Sequence, residues 1–280
     1  MNTIIKSKSL TLFTAVILML SIFSCEKNAM EPEKERPPEL PPVESMQINL
    51  SFFDSLSSNS LEKTALTKHN FIAAAWRIFI INTTFRVAAI VPTAVFLAAL
   101  SEDPVLKDDG KFHWIYTTTS NSDSFTADLA GWVDRESSEV VWEMYVSSNT
   151  HSPKLDNFLW YEGRAKIGNK QGWWMFHDDK SPDALVEVLK IDWQIPAENY
   201  RELILSNLYQ VNEGYGDSLK YIYDNFNEYL IFIDASQNNS VNTIYWDSQT
   251  GAGYIEWFDY NEGNRSYWDE NQNDSEGPPA

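Results

Sequence analysis

Two hydrophobic patterns divide this chain. From residue 112 onward, short runs of aromatic and β-branched residues recur, and turns rich in Gly, Asn, Asp and Ser separate them. Runs of this kind are typical of strands, and their regular spacing indicates an antiparallel meander, sandwich or barrel. We predict strands at about 112–119, 124–133, 139–147, 157–167, 172–177, 185–194, 202–210, 219–224, 228–234, 241–247 and 253–260, with another near 266.

The stretch from His69 to Leu100 has the other pattern. No Asp or Glu occurs between Glu62 and Glu102, and apolar residues point nearly all round a helix drawn through this stretch. A helix that is apolar on every side is either buried or in a membrane.

We predict two helices here, at about 62–81 and 85–100, because Asn82–Thr84 and Pro92 are points where a helix bends or ends. The longest uncharged run, Val87–Leu100, has 14 residues, whereas a membrane span needs about 20. The sequence therefore favours core helices over a membrane span.

Together the patterns predict an α+β fold that is mainly β. We expect a long, curved antiparallel meander, an open or nearly closed barrel of ten to twelve strands, packed around one or two apolar helices. A single domain would cover residues 46–268, beginning with a short strand at Met46–Asp54, and the polar residues 269–280 would form a disordered tail.

The N-terminal residues 1–24 have the layout of a targeting signal. Lys6 and Lys8 form a basic start, Leu10–Phe23 is apolar, and Cys25 follows at once. An aliphatic residue three positions before a cysteine, with a small residue just before it, resembles a bacterial lipoprotein signal. The resemblance implies cleavage before Cys25 and diacylation of its thiol. Cys25 is the only cysteine, so disulfides have no part in the fold.

Residues 25–45 are rich in Pro and Glu. Pro37-Pro38 and Pro41-Pro42 stiffen such a segment toward polyproline II, so we predict a tether that separates the domain from a bilayer. Glu26, where inner-membrane lipoproteins carry Asp, favours the outer membrane by resemblance. Periplasmic and surface-facing orientations both remain open.

Several segments together resemble predicted bacterial lipoproteins of the Gram-negative outer-membrane type. They are the signal, the tether, HNFIAAAWRIF (69–79), VVWEMYVS (140–147), FLWYEGRAKI (158–167) and LKIDW (189–193). The resemblance covers most of the chain after the signal and implies an address and a fold. It implies no activity and no active-site residues.

Candidate chemistry is sparse. His69, His113, His151 and His177 are scattered without metal-ligand spacing, so we predict no metal site and no cofactor. No nucleophile, phosphate-loop or dinucleotide motif is present, and we assign no catalytic residue. Glu143, within a predicted strand, is a conceivable general acid that one sequence cannot pair with a partner. The net charge of −19 opposes binding to nucleic acid.

Tryptophan is the one residue type in excess, and ten of the eleven lie after residue 102. Consecutive Trp173 and Trp174 must point to opposite faces of a strand. One of them therefore lies off the core side, where it could stack against an apolar ligand or a sugar ring. These two residues are the candidate ligand-binding residues.

The sequence leaves three functions open. The first is a non-enzymatic binding or carrier lipoprotein for an apolar or amphipathic ligand, resembling at fold level the half-barrel carriers of the bacterial envelope. The second is a glycan-binding module or hydrolase at the cell surface. The third is a structural or assembly partner in the outer membrane.

Replacement of Cys25, the residue expected to be acylated, tests the predicted membrane anchor. We expect the wild type to partition with membranes and Cys25→Ala to stay in the soluble fraction, because an acidic chain is repelled by anionic head groups and acyl chains would supply the affinity. Fractionation of cells expressing each form measures this. A Cys25→Ala protein that still needs detergent would contradict both the anchor and the buried helix.

Overall fold

The computed structural model describes residues 36–53, 67–120, 122–211 and 214–278, apart from the side chains of 82–84 and 86–91. The signal 1–24, Cys25 and residues 62–66 of the first predicted helix lie outside the described residues. The described part of the chain after Pro37 belongs to one compact unit, so the domain starts earlier than the predicted residue 46.

Fourteen strands of the described residues form one antiparallel sheet in which every strand pairs with its neighbours in the sequence. They are β1 (Val105–Leu106), β2 (Phe112–Ser120), β3 (Asp123–Asp134), β4 (Glu139–Ser148), β5 (Leu155–Lys166), β6 (Gln171–His177), β7 (Glu187–Ala197), β8 (Tyr200–Asn207), β9 (Ser218–Asp224), β10 (Asn227–Asp234), β11 (Ser240–Asp247), β12 (Gly253–Glu256), β13 (Ser266–Trp268) and β14 (Asp274–Ser275). The strands β1 and β14 form the two edges, so the sheet is open. The predicted α+β, mainly β meander is confirmed.

The predicted strands correspond to β2–β13. The sequence missed β1 and β14, because two-residue strands are too short to show a period of two. The strand predicted at Met46–Asp54 is wrong: a 3₁₀ helix at Val43–Ser45 precedes residues 46–50, which have no regular structure. The hydrophobic alternation of Met46, Ile48 and Leu50 reflects packing against the core without strand pairing.

One α-helix of the described residues, α1 (His69–Ala99), packs on one face of the sheet, which we call the inner face. The predicted break between two helices is wrong, since α1 runs through residues 82–84 and through Pro92. Pro92 removes one backbone hydrogen bond. Buried side chains on both sides of it, including Phe85 and Phe96, hold the helix on the sheet and outweigh that loss.

The helix crosses from the last strands of the sheet to the first. Near its start, the Asn70 amide donates to the carbonyl of Tyr267 in β13 over 2.7 Å. Near its end, the Tyr116 hydroxyl in β2 donates to the carbonyl of Val95 over 2.6 Å. Within the described residues, no helix has the combination of length and apolar character needed to cross a membrane.

Residues 37–45, predicted as part of a free tether, instead pack against the sheet. The indole N–H of buried Trp174 donates to the Ser45 hydroxyl over 3.1 Å, and the Asn169 amide donates to the carbonyl of Glu39 over 2.5 Å. Leu40 and Val43 pack against the core, which the Pro and Glu content of the segment concealed. This part of the predicted tether is wrong.

The predicted disordered tail is also ordered as far as it is described. The carboxylate of Asp274 in β14 accepts the backbone N–H of Asn70 over 2.8 Å and lies 2.8 Å from Nδ1 of His69. No side chain at the preceding position, Lys68, caps the helix. A residue from the far end of the chain therefore caps α1, which local sequence patterns cannot reveal.

Removal of this cap gives a direct test. We expect Asp274→Ala to lower the free energy of unfolding by about 1 kcal/mol, because the first turn of α1 loses an acceptor and a negative charge. Glu276→Ala is the matched control, since it removes the same charge from an exposed residue of the same tail. Urea denaturation of both variants measures the difference. Equal losses in the two would show that only net charge matters.

Candidate functional site

The helix leaves part of the inner face uncovered. A groove of about 460 Å³ lies between α1, strand β10 and the residues that follow β12. We call it the helix groove; its apolar lining is Trp76, Ile80, Ile81, Phe85, Phe232, Trp257 and Phe258, and its polar lining includes Arg77, Asp217, Asp234, Ser236 and Asp259. Its volume falls within the range of small-molecule sites, about 300–1,000 Å³.

Apolar side chains of α1 form one wall of the helix groove. Trp76 and Ile80 are one helical turn apart, so they lie on the same side of the helix. The exposed fraction of Trp76 is 61% and that of Ile80 is 47%, which is high for large apolar side chains on a helix that packs against a sheet. The Trp76 ring stacks on Phe79, with centroids 5.6 Å apart. This wall keeps apolar surface in contact with solvent.

The floor of the helix groove is aromatic. The rings of Phe232 and Trp257 stack with centroids 5.9 Å apart and planes only 7° from parallel. Arg77 lies with its guanidinium carbon 5.4 Å from the Trp257 ring and 5.3 Å from the Tyr260 ring. It also donates to the carboxylate of Asp259 over 2.5 Å. Arg77 is thus held by two rings and one carboxylate.

The carboxylates of Asp217 and Asp234 form the acidic rim of the helix groove. Asp217 is buried and accepts the backbone N–H of Ala235 over 2.9 Å. Burial raises the pKa of Asp217, and the charge of Asp234 raises it further. Asp234 accepts the Ser236 hydroxyl over 2.6 Å. Among the described residues, no Lys or Arg forms an ion pair with either rim carboxylate.

Trp173 and Trp174 have different environments, as strand alternation requires. Trp174 is buried on the inner face, 6.0 Å from the Phe96 ring, and cannot contact a ligand. Trp173 is half-buried on the other, outer face, in a shallow depression of about 270 Å³. Gln171 and Gln194 also line this depression, beside the charged side chains of Glu139, Arg164, Lys166, Asp192 and Glu202.

Each histidine lies near a carboxylate. His113 is the most enclosed by acids, with Nδ1 2.6 Å from Asp128 and Nε2 3.1 Å from Asp109. Burial lowers the pKa of His177. The described residues contain no group of three or more His, Cys, Asp or Glu side chains arranged to hold a metal ion. Glu143 accepts Lys111 over 3.0 Å in an ion pair.

The residues of the helix groove were not identified from the sequence. Their charged members, Arg77, Asp217, Asp234 and Asp259, are dispersed over almost two hundred positions. One signal was available: Arg77 interrupts an apolar helical stretch that has no acid of its own. A lone arginine there needs a partner from elsewhere in the fold.

The comparisons with known proteins give no family. No protein-family model matches the chain, and neither the curated proteins nor the solved structures contain a significant match to it.

Proposed function

We propose that this protein is a non-enzymatic binding or carrier module that holds an apolar or amphipathic ligand in the helix groove. The observation that carries the proposal is the groove itself, in which the exposed apolar side chains of Trp76 and Ile80 lie beside an aromatic floor. Monomeric proteins seldom expose contiguous apolar surface of this kind unless it contacts a ligand or partner.

The proposal includes the address expected from the sequence. Acylation of Cys25 would anchor the module in the outer membrane of a bacterial envelope. Because the Asn169 amide donates to the carbonyl of Glu39, the spacer of the proposed anchor would lie before Glu39. A ligand site close to a membrane surface suits a carrier of amphipathic molecules.

Loss of the exposed groove wall should weaken binding of a neutral apolar probe. We expect the double variant Trp76→Ala/Ile80→Ala to bind N-phenyl-1-naphthylamine about tenfold more weakly than the wild type, because both side chains offer apolar contact area to the probe. Fluorescence titration of the purified proteins measures the dissociation constants.

The matched control is Ile115→Ala/Val133→Ala, which removes two exposed apolar side chains outside the groove. We expect it to bind the probe as the wild type does. If both double variants bind the probe equally well, the helix groove is not the binding site and the proposal is wrong.

The depression around Trp173 supports a second candidate, a glycan-binding module. A half-buried indole beside side-chain amides is suited to a sugar ring, because the ring face stacks and the amides hydrogen-bond to hydroxyls. The amides of Gln171 and Gln194 make no hydrogen bond with the described residues. Trp174 is buried on the inner face and does not line this depression, so it is not part of this candidate.

This candidate predicts binding to at least one neutral oligosaccharide on a glycan array, with the signal lost in Trp173→Ala. Trp132→Ala is the matched control, since Trp132 is half-buried but does not line the depression. An array without signal, or equal signals from the two variants, would exclude a glycan site at Trp173.

A further inference from the structure

We infer that the ligand of the helix groove is an amphipathic cation, in which one ammonium or guanidinium group is attached to an apolar body. The inference rests on the proposed function and names the class of ligand that its site would take. The cation would lie at Asp217 and Asp234, and the apolar body would lie along Phe232, Trp257 and the exposed wall of α1.

Among the described residues, no basic side chain supplies a counter-charge to the acidic rim. Elsewhere in the described part of the chain, several carboxylates form ion pairs with basic side chains. Examples are Glu202 with Lys220 over 2.9 Å and Glu256 with Arg265 over 2.7 Å. Asp217 and Asp234 are near enough to repel each other, and the donors that reach their carboxylates from the described residues are neutral groups of Ala235, Ser236 and Gln237. Two carboxylates that share one small region favour a cation between them.

The burial of Asp217 adds to the need for a positive charge at the rim. The exposed fraction of Asp217 is 8%, so water can solvate its charge only poorly. An ionised carboxylate in such a place is unfavourable unless an opposite charge or several hydrogen bonds compensate it. Within the part of the chain that the structure describes, the Ala235 N–H donates to one oxygen of this carboxylate. A bound cation would supply the missing compensation.

The floor of the groove also accepts positive charge. Arg77 already lies over the Trp257 ring, which shows that this aromatic surface accommodates a cation next to apolar side chains. Arg77 is paired with Asp259 and does not form an ion pair with the rim. The apolar floor and the acidic rim are therefore both available to one ligand.

An anionic ligand is disfavoured by charge. The groove lining contains three aspartates and one arginine, and the whole chain has a net charge of −19. The field of such a protein attracts cations and repels anions. A neutral apolar ligand would leave the rim carboxylates uncompensated and would gain nothing from them.

The test compares three amphiphiles with the same alkyl chain. Dodecylammonium, dodecyl maltoside and dodecyl sulfate are titrated into the purified protein below their critical micelle concentrations, and calorimetry measures each dissociation constant. We expect dodecylammonium to bind most tightly and dodecyl sulfate most weakly. In Asp217→Asn/Asp234→Asn, binding of dodecylammonium should weaken about tenfold while binding of dodecyl maltoside stays unchanged.

The matched control is Asp156→Asn/Asp183→Asn, which removes two exposed acids that form no ion pair and do not line the groove. It changes the net charge by the same amount and should leave dodecylammonium binding unchanged. Asparagine keeps an acceptor for the Ala235 and Ser236 donors, and thermal unfolding of each variant verifies that the fold persists.

The outcomes separate this inference from the proposed function. If the three amphiphiles bind equally and the rim variant has no effect, the inferred preference for a cation is wrong, while the proposed apolar site remains. If none binds, and Trp76→Ala/Ile80→Ala does not change the binding of the neutral probe, the proposed function fails as well. A dimer of the wild type that the same double variant dissociates would make a second copy of the chain the occupant, and would overturn the inference.

Discussion

The packing of the helix on the inner face of the sheet depends on tryptophan rings that lie across glycines of neighbouring strands. Trp142 covers Gly131, Trp174 covers Gly163, Trp193 covers Gly172 and Trp268 covers Gly253, and a Cβ at any of these glycines would collide with the ring. Because the rings lie over bare backbone, large side chains of the helix can approach them. Phe96 contacts Trp174 and Phe71 contacts Trp268, at opposite ends of α1.

This packing explains how a helix without polar faces is held on an open sheet. Both of its ends are fixed, by the hydrogen bond from Tyr116 to Val95 near the C-terminus and by Asp274 at the N-terminus. Residues 37–53 cover a further part of the inner face, where Phe53 packs against Trp246 with ring centroids 5.0 Å apart. The chain on both sides of the meander thus completes the core that the strands begin.

The helix groove is the part of the inner face that these coverings leave open. Its aromatic floor is an extension of the core, because Trp257 is buried and stacks on Phe232. At its acidic rim, desolvation and the charge of Asp234 both raise the pKa of buried Asp217. The helix groove thus combines apolar side chains with rim carboxylates that no basic side chain of the described residues pairs with, and the proposed amphipathic cation follows from this combination.

The sequence by itself determined the strands β2 to β13, because each shows its own alternation between the two faces and ends at turn residues. It also indicated helix on both sides of residues 82–84 and determined that Trp173 and Trp174 point to opposite faces. Only the tertiary structure decided that α1 continues through Pro92, since burial of Phe85 and Phe96 outweighs a local break. It alone brought Arg77 to Asp259 and placed Asp217 beside Asp234, because strand register and the path of the helix join positions that no local pattern relates.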